Sequence, residues 1–149
     1  MKRQSYVWLF HTFLKAMGGV APKLIITDEA ASMKIAIQDV FTTTVHRLCM
    51  WHILMKVLDK VGPSLKQDEE FHKQLSRCVW SSETPTEFEE EWGSIMSKYR
   101  LQGNEWFTTK FEQRKSWVPA YLSDIPLSGL LRTTSRPESA NSFFSRLIG

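Results

Sequence analysis

The chain has 149 residues, of which 42% are hydrophobic and 23% are charged. This is the composition of a folded globular protein, and it excludes a disordered or low-complexity chain. The length allows at most one ordinary domain. The net charge of +3 permits an anionic partner but does not require one. No apolar run approaches the roughly 20 residues of a membrane span, so no association with a membrane is expected.

The first 19 residues predict a helix that ends at Gly18 and Gly19. A basic start followed by an apolar run is also typical of a secretory signal, but polar residues interrupt this run at His11 and Lys15. We therefore predict a packed helix from about Tyr6 to Met17, capped by Ser5. The two cysteines lie 29 positions apart and do not form a disulfide framework, which favours a reducing compartment.

The next segment has the pattern of a strand–helix–strand unit. The short β-branched run Leu24–Thr27 follows a Gly-Gly-Val-Ala-Pro break and is typical of a strand buried on both faces. Apolar residues at helical spacing predict a helix over 30–40, and a second strand is predicted over 43–48. A right-handed crossover of this kind makes the two strands parallel neighbours or near neighbours.

After this unit the strand patterns disappear and helices dominate. Gly62 and Pro63 end the first of them, and Thr84-Pro85-Thr86-Glu87 is a strong start for another. We predict helices over residues 50–61, 67–80, 85–99, 105–115 and 135–147, with an irregular connection near Pro119 and Pro126. The fold class is therefore α/β, with an α/β first part and a helical middle.

Two parallel strands do not form an independently stable sheet, because three or more are usually required. The free edge of the first strand would carry unpaired backbone groups. Either a partner supplies further strands or an N-terminal piece of the fold is absent from this chain. We favour the second explanation.

Two acidic residues are candidates for chemistry. Asp28 follows the first strand, at the edge where open α/β sheets place their ligands, and its carboxylate is a suitable ligand for Mg²⁺. The alternative is an N-cap of the following helix. Glu138 is the second candidate, and its alternative is a structural capping box with Ser135.

Cys49 and His52 form a C-x-x-H pair, a spacing found in zinc sites. Zinc requires about four ligands, so His46, His72 or Cys78 would have to join the pair in the fold. The alternative is a packed cysteine beside a hydrogen-bonded histidine. Three arginines near the last predicted helix could contact phosphates, although a solvated helix face explains them equally well: Arg132, Arg136 and Arg146.

Four stretches taken together resemble a known family: YVWLFHTFLKAMGG, APKLIITDEAASMKIAI, HRLCMWHILMKV and RTTSRPESANSFF. In this order and at these distances they are similar to Mutator-like element (MULE) transposases. They resemble most closely the plant far-red-impaired-response family of transcription regulators, which derive from such transposases. The resemblance covers essentially the whole chain.

The resemblance implies a partial ribonuclease-H-like fold whose first three strands are missing. It divides the chain into an α/β part (1–61), a helical insertion (62–134) and a closing helix (135–149). In such transposases three acids hold two metal ions that cut and join DNA. By resemblance Asp28 matches the second acid, Glu138 the third, and Cys49 with His52 the C-x-x-H between them. The first acid has no counterpart here.

The function implied is that of a transposase-derived domain of a nuclear transcription regulator, acting through DNA and protein association. With an incomplete set of acids the chain is not expected to be catalytic. DNA contact is expected mainly through other parts of the parent protein, and dimers with related regulators are possible partners. Zinc is a possible cofactor, and Mg²⁺ only if the protein is catalytic. The alternative is a fragment of an active Mutator-like transposase.

Overall fold

The computed structural model describes residues 2–122, and the chain divides into two compact units, Met1–His52 and Ile53–Gly149. The described part contains two strands and seven α-helices, so the mixed α/β class is confirmed for these residues. None of the helices within 2–122 combines the length and apolar character needed to cross a bilayer. The predicted closing helix, 135–147, lies outside the described residues.

The first unit begins with helix α1, Arg3–Ala16. Its end was predicted correctly, because Gly18 and Gly19 adopt φ values of 71° and 80°, which side-chain-bearing residues rarely reach. The predicted Ser5 cap is wrong. Lys2 occupies the N-cap position without a side-chain hydrogen bond, and Ser5 lies inside the helix. The N–H groups of Ser5 and Tyr6 both donate to the Lys2 carbonyl, so the helix begins one turn earlier than predicted, and the Arg3 side chain in that turn pairs with Asp39 of the residues that follow in the same unit.

Strands β1, Leu24–Thr27, and β2, Val45–Leu48, flank helix α2, Ala31–Val40. The two strands pair in parallel, with Leu24 opposite Val45 and Thr27 opposite Leu48, which confirms the strand–helix–strand prediction. The prediction that β1 is buried on both faces is wrong for the described residues. Its side chains are half-buried, and Ile26 is 42% exposed. Within residues 2–122, the face of the strand that carries Ile26 is therefore only partly covered.

Helices α1 and α2 pack against each other around Phe41, the C-cap residue that directly follows α2. The Phe41 side chain is only 2% exposed. Its ring lies 5.5 Å from that of Phe10 and 6.5 Å edge-on from that of Phe13. Ala36 and Ile37 of α2 are also buried. This helix pair therefore supplies the apolar core of the first unit.

The second unit is helical throughout its described part. Helix α3, Met50–Lys60, begins in the first unit and continues into the second. It is followed by α4, Pro63–Lys66; α5, Glu69–Ser81; α6, Pro85–Lys98; and α7, Glu105–Glu112. Two 3₁₀ turns, Arg114–Ser116 and Pro119–Tyr121, complete it. The single-turn α4 was not predicted, because Pro63 at its start also reads as a helix terminator.

An aromatic cluster forms the core of the second unit, with Phe88 fully buried at its centre. The ring of Phe88 lies between 5.5 and 6.4 Å from four other aromatic rings. Those four are Trp92, Phe111, Trp117 and Tyr121. Apolar residues at helical spacing on α5 and α6 are buried: Phe71, Leu75 and Val79 on the first, and Phe88, Trp92, Ile95 and Met96 on the second. Each helix thus presents one continuous apolar stripe.

Side chains cap three of these helices at the N-terminus. Asp68 accepts the N–H of Phe71 for α5, Thr84 accepts that of Glu87 for α6, and Asn104 accepts those of two residues in α7. The Thr84 cap was predicted from sequence and is confirmed. The Glu87 carboxylate accepts the N–H of Glu83, so both partners of the capping motif stabilise the helix start.

We expect Thr84→Ala to lower the free energy of unfolding by about 1 kcal/mol, because the Glu87 N–H loses its acceptor. Urea denaturation followed by circular dichroism measures this loss. Thr86→Ala is the matched control, because Thr86 is exposed in the first turn of the same helix and caps nothing. Equal stability of the two variants would contradict the assigned cap.

Candidate functional site

The carboxyl end of the β1–β2 pair brings together most of the candidate residues that the structure describes. Asp28 directly follows β1, and its side chain is exposed. Its Oδ1 accepts the N–H of Ala30 at 3.1 Å, which closes a tight turn between strand and helix. The N-cap of α2 is Ala30, which makes no side-chain capping bond. Asp28 therefore stabilises the turn before α2 and does not cap the helix itself.

Two side chains fix the backbone at this turn. The Thr27 Oγ1 donates to the Asp28 carbonyl at 2.8 Å and lies 2.7 Å from Nε2 of His46 on β2. A hydroxyl has one proton, so the His46 Nε2 must be the donor in the second bond. Burial lowers the pKa of His46, and the positive charges of Lys34 and Arg47 lower it further. A neutral His46 therefore supports the strand end that presents Asp28.

Cys49 lies beside this turn. Its backbone N–H donates to the Thr27 carbonyl at 2.6 Å, which continues the parallel ladder one residue beyond β2. Its thiol is half-buried. His52 lies in the first turn of α3 and is exposed. Parallel pairing thus places Asp28 and Cys49 at the same sheet edge, where α/β proteins bind ligands.

The residues described do not form a complete zinc site. Within 2–122, no three His, Cys, Asp or Glu side chains are close enough together to hold a metal ion. Cys78 and His72 are buried in α5, where burial raises the pKa of the thiol and the His72 ring bonds the Lys66 carbonyl. A zinc site on Cys49 and His52 would require ligands from beyond the described range. The assignment of these two residues stays a prediction.

The second predicted acid, Glu138, lies outside the described residues. The same holds for Ser135 and for the three arginines near the last predicted helix: Arg132, Arg136 and Arg146. The expected proximity of Asp28 and Glu138 therefore stays a prediction. In the described part, Asp28 is the acid at the strand end with a defined hydrogen bond to the following turn.

The second unit contains a polar cluster that sequence reasoning missed. The Tyr121 hydroxyl donates to Glu89 Oε1 at 2.6 Å, and the Arg114 Nε lies 3.0 Å from the same oxygen. The Arg114 guanidinium also lies 4.3 Å from the centre of the Phe111 ring, within cation–π distance. These contacts tie α6 to both 3₁₀ turns. No local spacing signals them, because Glu89 and Tyr121 are 32 positions apart.

Hydrogen bonding lowers one pKa in this cluster, and burial raises another. The Tyr121 hydroxyl and then the Arg114 guanidinium lower the pKa of Glu89. Burial, reinforced by the Glu89 carboxylate, raises the pKa of Tyr121 to about 12. At neutral pH the cluster therefore contains a Glu89 carboxylate, an Arg114 guanidinium and an uncharged Tyr121 hydroxyl that donates to Glu89. Because these bonds join α6 to both 3₁₀ turns, we assign the cluster a structural role.

Residues 1–56, which contain Asp28, Cys49 and His52, match the MULE transposase domain. The match covers the whole of the first unit, which is therefore similar to the MULE transposase domain. The whole chain is also similar to curated plant proteins. It is 37% identical over 145 residues to Protein FAR-RED IMPAIRED RESPONSE 1 of Arabidopsis thaliana, which is 97% of this chain and 17% of that protein. It is 38% identical to Protein FAR1-RELATED SEQUENCE 2, again over 97% of this chain and 18% of that protein.

Protein FAR1-RELATED SEQUENCE 5 of the same plant is 38% identical over 97% of this chain. The resemblance predicted from the sequence is confirmed: over almost its whole length, this chain is related to the far-red-impaired-response proteins. It spans less than a fifth of the length of these relatives.

We expect Thr27→Val to lower the free energy of unfolding by about 1–2 kcal/mol, because the half-buried His46 Nε2 loses its hydrogen-bond partner. Chemical denaturation of the full chain measures this change. Thr27→Ser keeps the hydroxyl and should recover most of the loss. A valine variant as stable as the serine variant would show that the hydroxyl does not support the strand end.

Stability should depend on Glu89 in a defined pH range. The folded state holds the Glu89 proton less tightly than the unfolded chain does. The stabilisation is therefore complete above the ordinary glutamate pKa of about 4.3 and is lost as pH falls through the lower folded value. The difference in unfolding free energy between wild type and Glu89→Gln should be constant near neutral pH and shrink under acidic conditions.

Urea titrations at several pH values test this, with Glu90→Gln as the control. Glu90 is an exposed neighbour on the same helix and lies outside the cluster. If the Glu89 and Glu90 variants behave alike at every pH, the cluster does not contribute to stability.

Proposed function

We propose that this chain is a transposase-derived domain of a nuclear transcription regulator of the far-red-impaired-response type, acting through DNA and protein association. The observation that carries the proposal is the 37% identity to FAR-RED IMPAIRED RESPONSE 1 across 97% of the chain. The MULE match over residues 1–56 supports the transposase ancestry. Nuclear location and regulation of transcription are inferred from this relationship.

The proposed fold is a partial ribonuclease-H-like fold. The observed order of helix, strand, helix and parallel strand, followed by a helical region, agrees with the part of that fold that comes after its first three strands. We further propose the division into residues 1–61, 62–134 and 135–149. Among the described residues β1 pairs only with β2, which leaves its other edge free for further strands of that sheet.

The proposal treats the chain as non-catalytic. Two-metal cleavage needs several carboxylates around both ions, whereas Asp28 is the one candidate acid with a described position. Together with Glu138 it would supply two of the three acids in the transposase pattern. The residues present thus fit only part of a magnesium site, and no metal-dependent step is assigned to them.

The distribution of charge supports association of the first unit with an anion. Residues 1–52 contain six Lys and Arg against three Asp and Glu, whereas residues 53–149 contain thirteen of each. The whole net charge of +3 therefore belongs to the first unit. Such a bias favours contact with phosphates through sequence-independent electrostatics.

A plasmid assay tests both DNA association and the expected absence of cleavage. We expect the purified chain to slow the gel migration of supercoiled plasmid at low salt. This retardation should fall steeply as the salt concentration rises, and the plasmid should stay uncut in Mg²⁺ or Mn²⁺. Lys23→Glu should weaken retardation several-fold, since Lys23 is exposed in the basic unit. Lys66→Glu, exposed in the neutral unit, is the matched control.

Two outcomes would overturn parts of the proposal. Cleavage abolished by Asp28→Ala would favour an active Mutator-like transposase, because the acid would then be catalytic. Retardation that is absent, or equal for the Lys23 and Lys66 variants, would remove DNA association from the first unit.

A further inference from the structure

We draw no further inference here: the strongest candidate, the open groove between α5 and α6 that is lined by Arg77, Glu91, Ser94 and Lys98, brings side-chain charges of both signs together, and nothing in residues 2–122 shows what would occupy it.

Discussion

The parallel pairing of β1 and β2 is the constraint on which the first unit depends. It fixes Thr27 opposite Leu48, and the ladder continues from the Cys49 N–H to the Thr27 carbonyl. Two strands bury little surface alone, so the pair relies on helices for its stability. The helix pair α1–α2, closed around Phe41, provides the apolar core that the strands lack. Weakening that core would therefore also loosen the turn that holds Asp28.

The features that were predicted correctly from the sequence are mostly those that depend on neighbouring residues in the chain. The β-branched run Leu24–Thr27 and the capping Thr84 both carry their information within four residues, and both were correct. The Ser5 cap had an equally good local pattern and was wrong, because the helix begins one turn earlier, at Arg3, and leaves Ser5 inside it. Arg3 pairs with Asp39, which is 36 positions away, so the contact that joins this extra turn to α2 has no local sequence signal.

The polar contacts that were missed all join residues distant in the chain. Glu89 meets Arg114 and Tyr121 only after α6, α7 and both 3₁₀ turns are packed. His46 reaches Thr27 only because β1 and β2 are adjacent and parallel. The two strands were predicted to be parallel neighbours or near neighbours, so the Thr27–His46 contact could have been sought among the polar side chains that share one face of such a pair. The Glu89 cluster had no comparable sequence signal.

The hydrogen bond that Asp28 accepts bears on what this acid reveals about function. Asp28 accepts the Ala30 N–H, so its carboxylate closes the strand-to-helix turn whether or not a metal is bound. Replacing it would leave that N–H without its side-chain acceptor. An acid can therefore be present at this position for a structural reason alone. Its presence does not distinguish a regulator from a transposase, and neither does the Thr27–His46 hydrogen bond, which supports the same strand end.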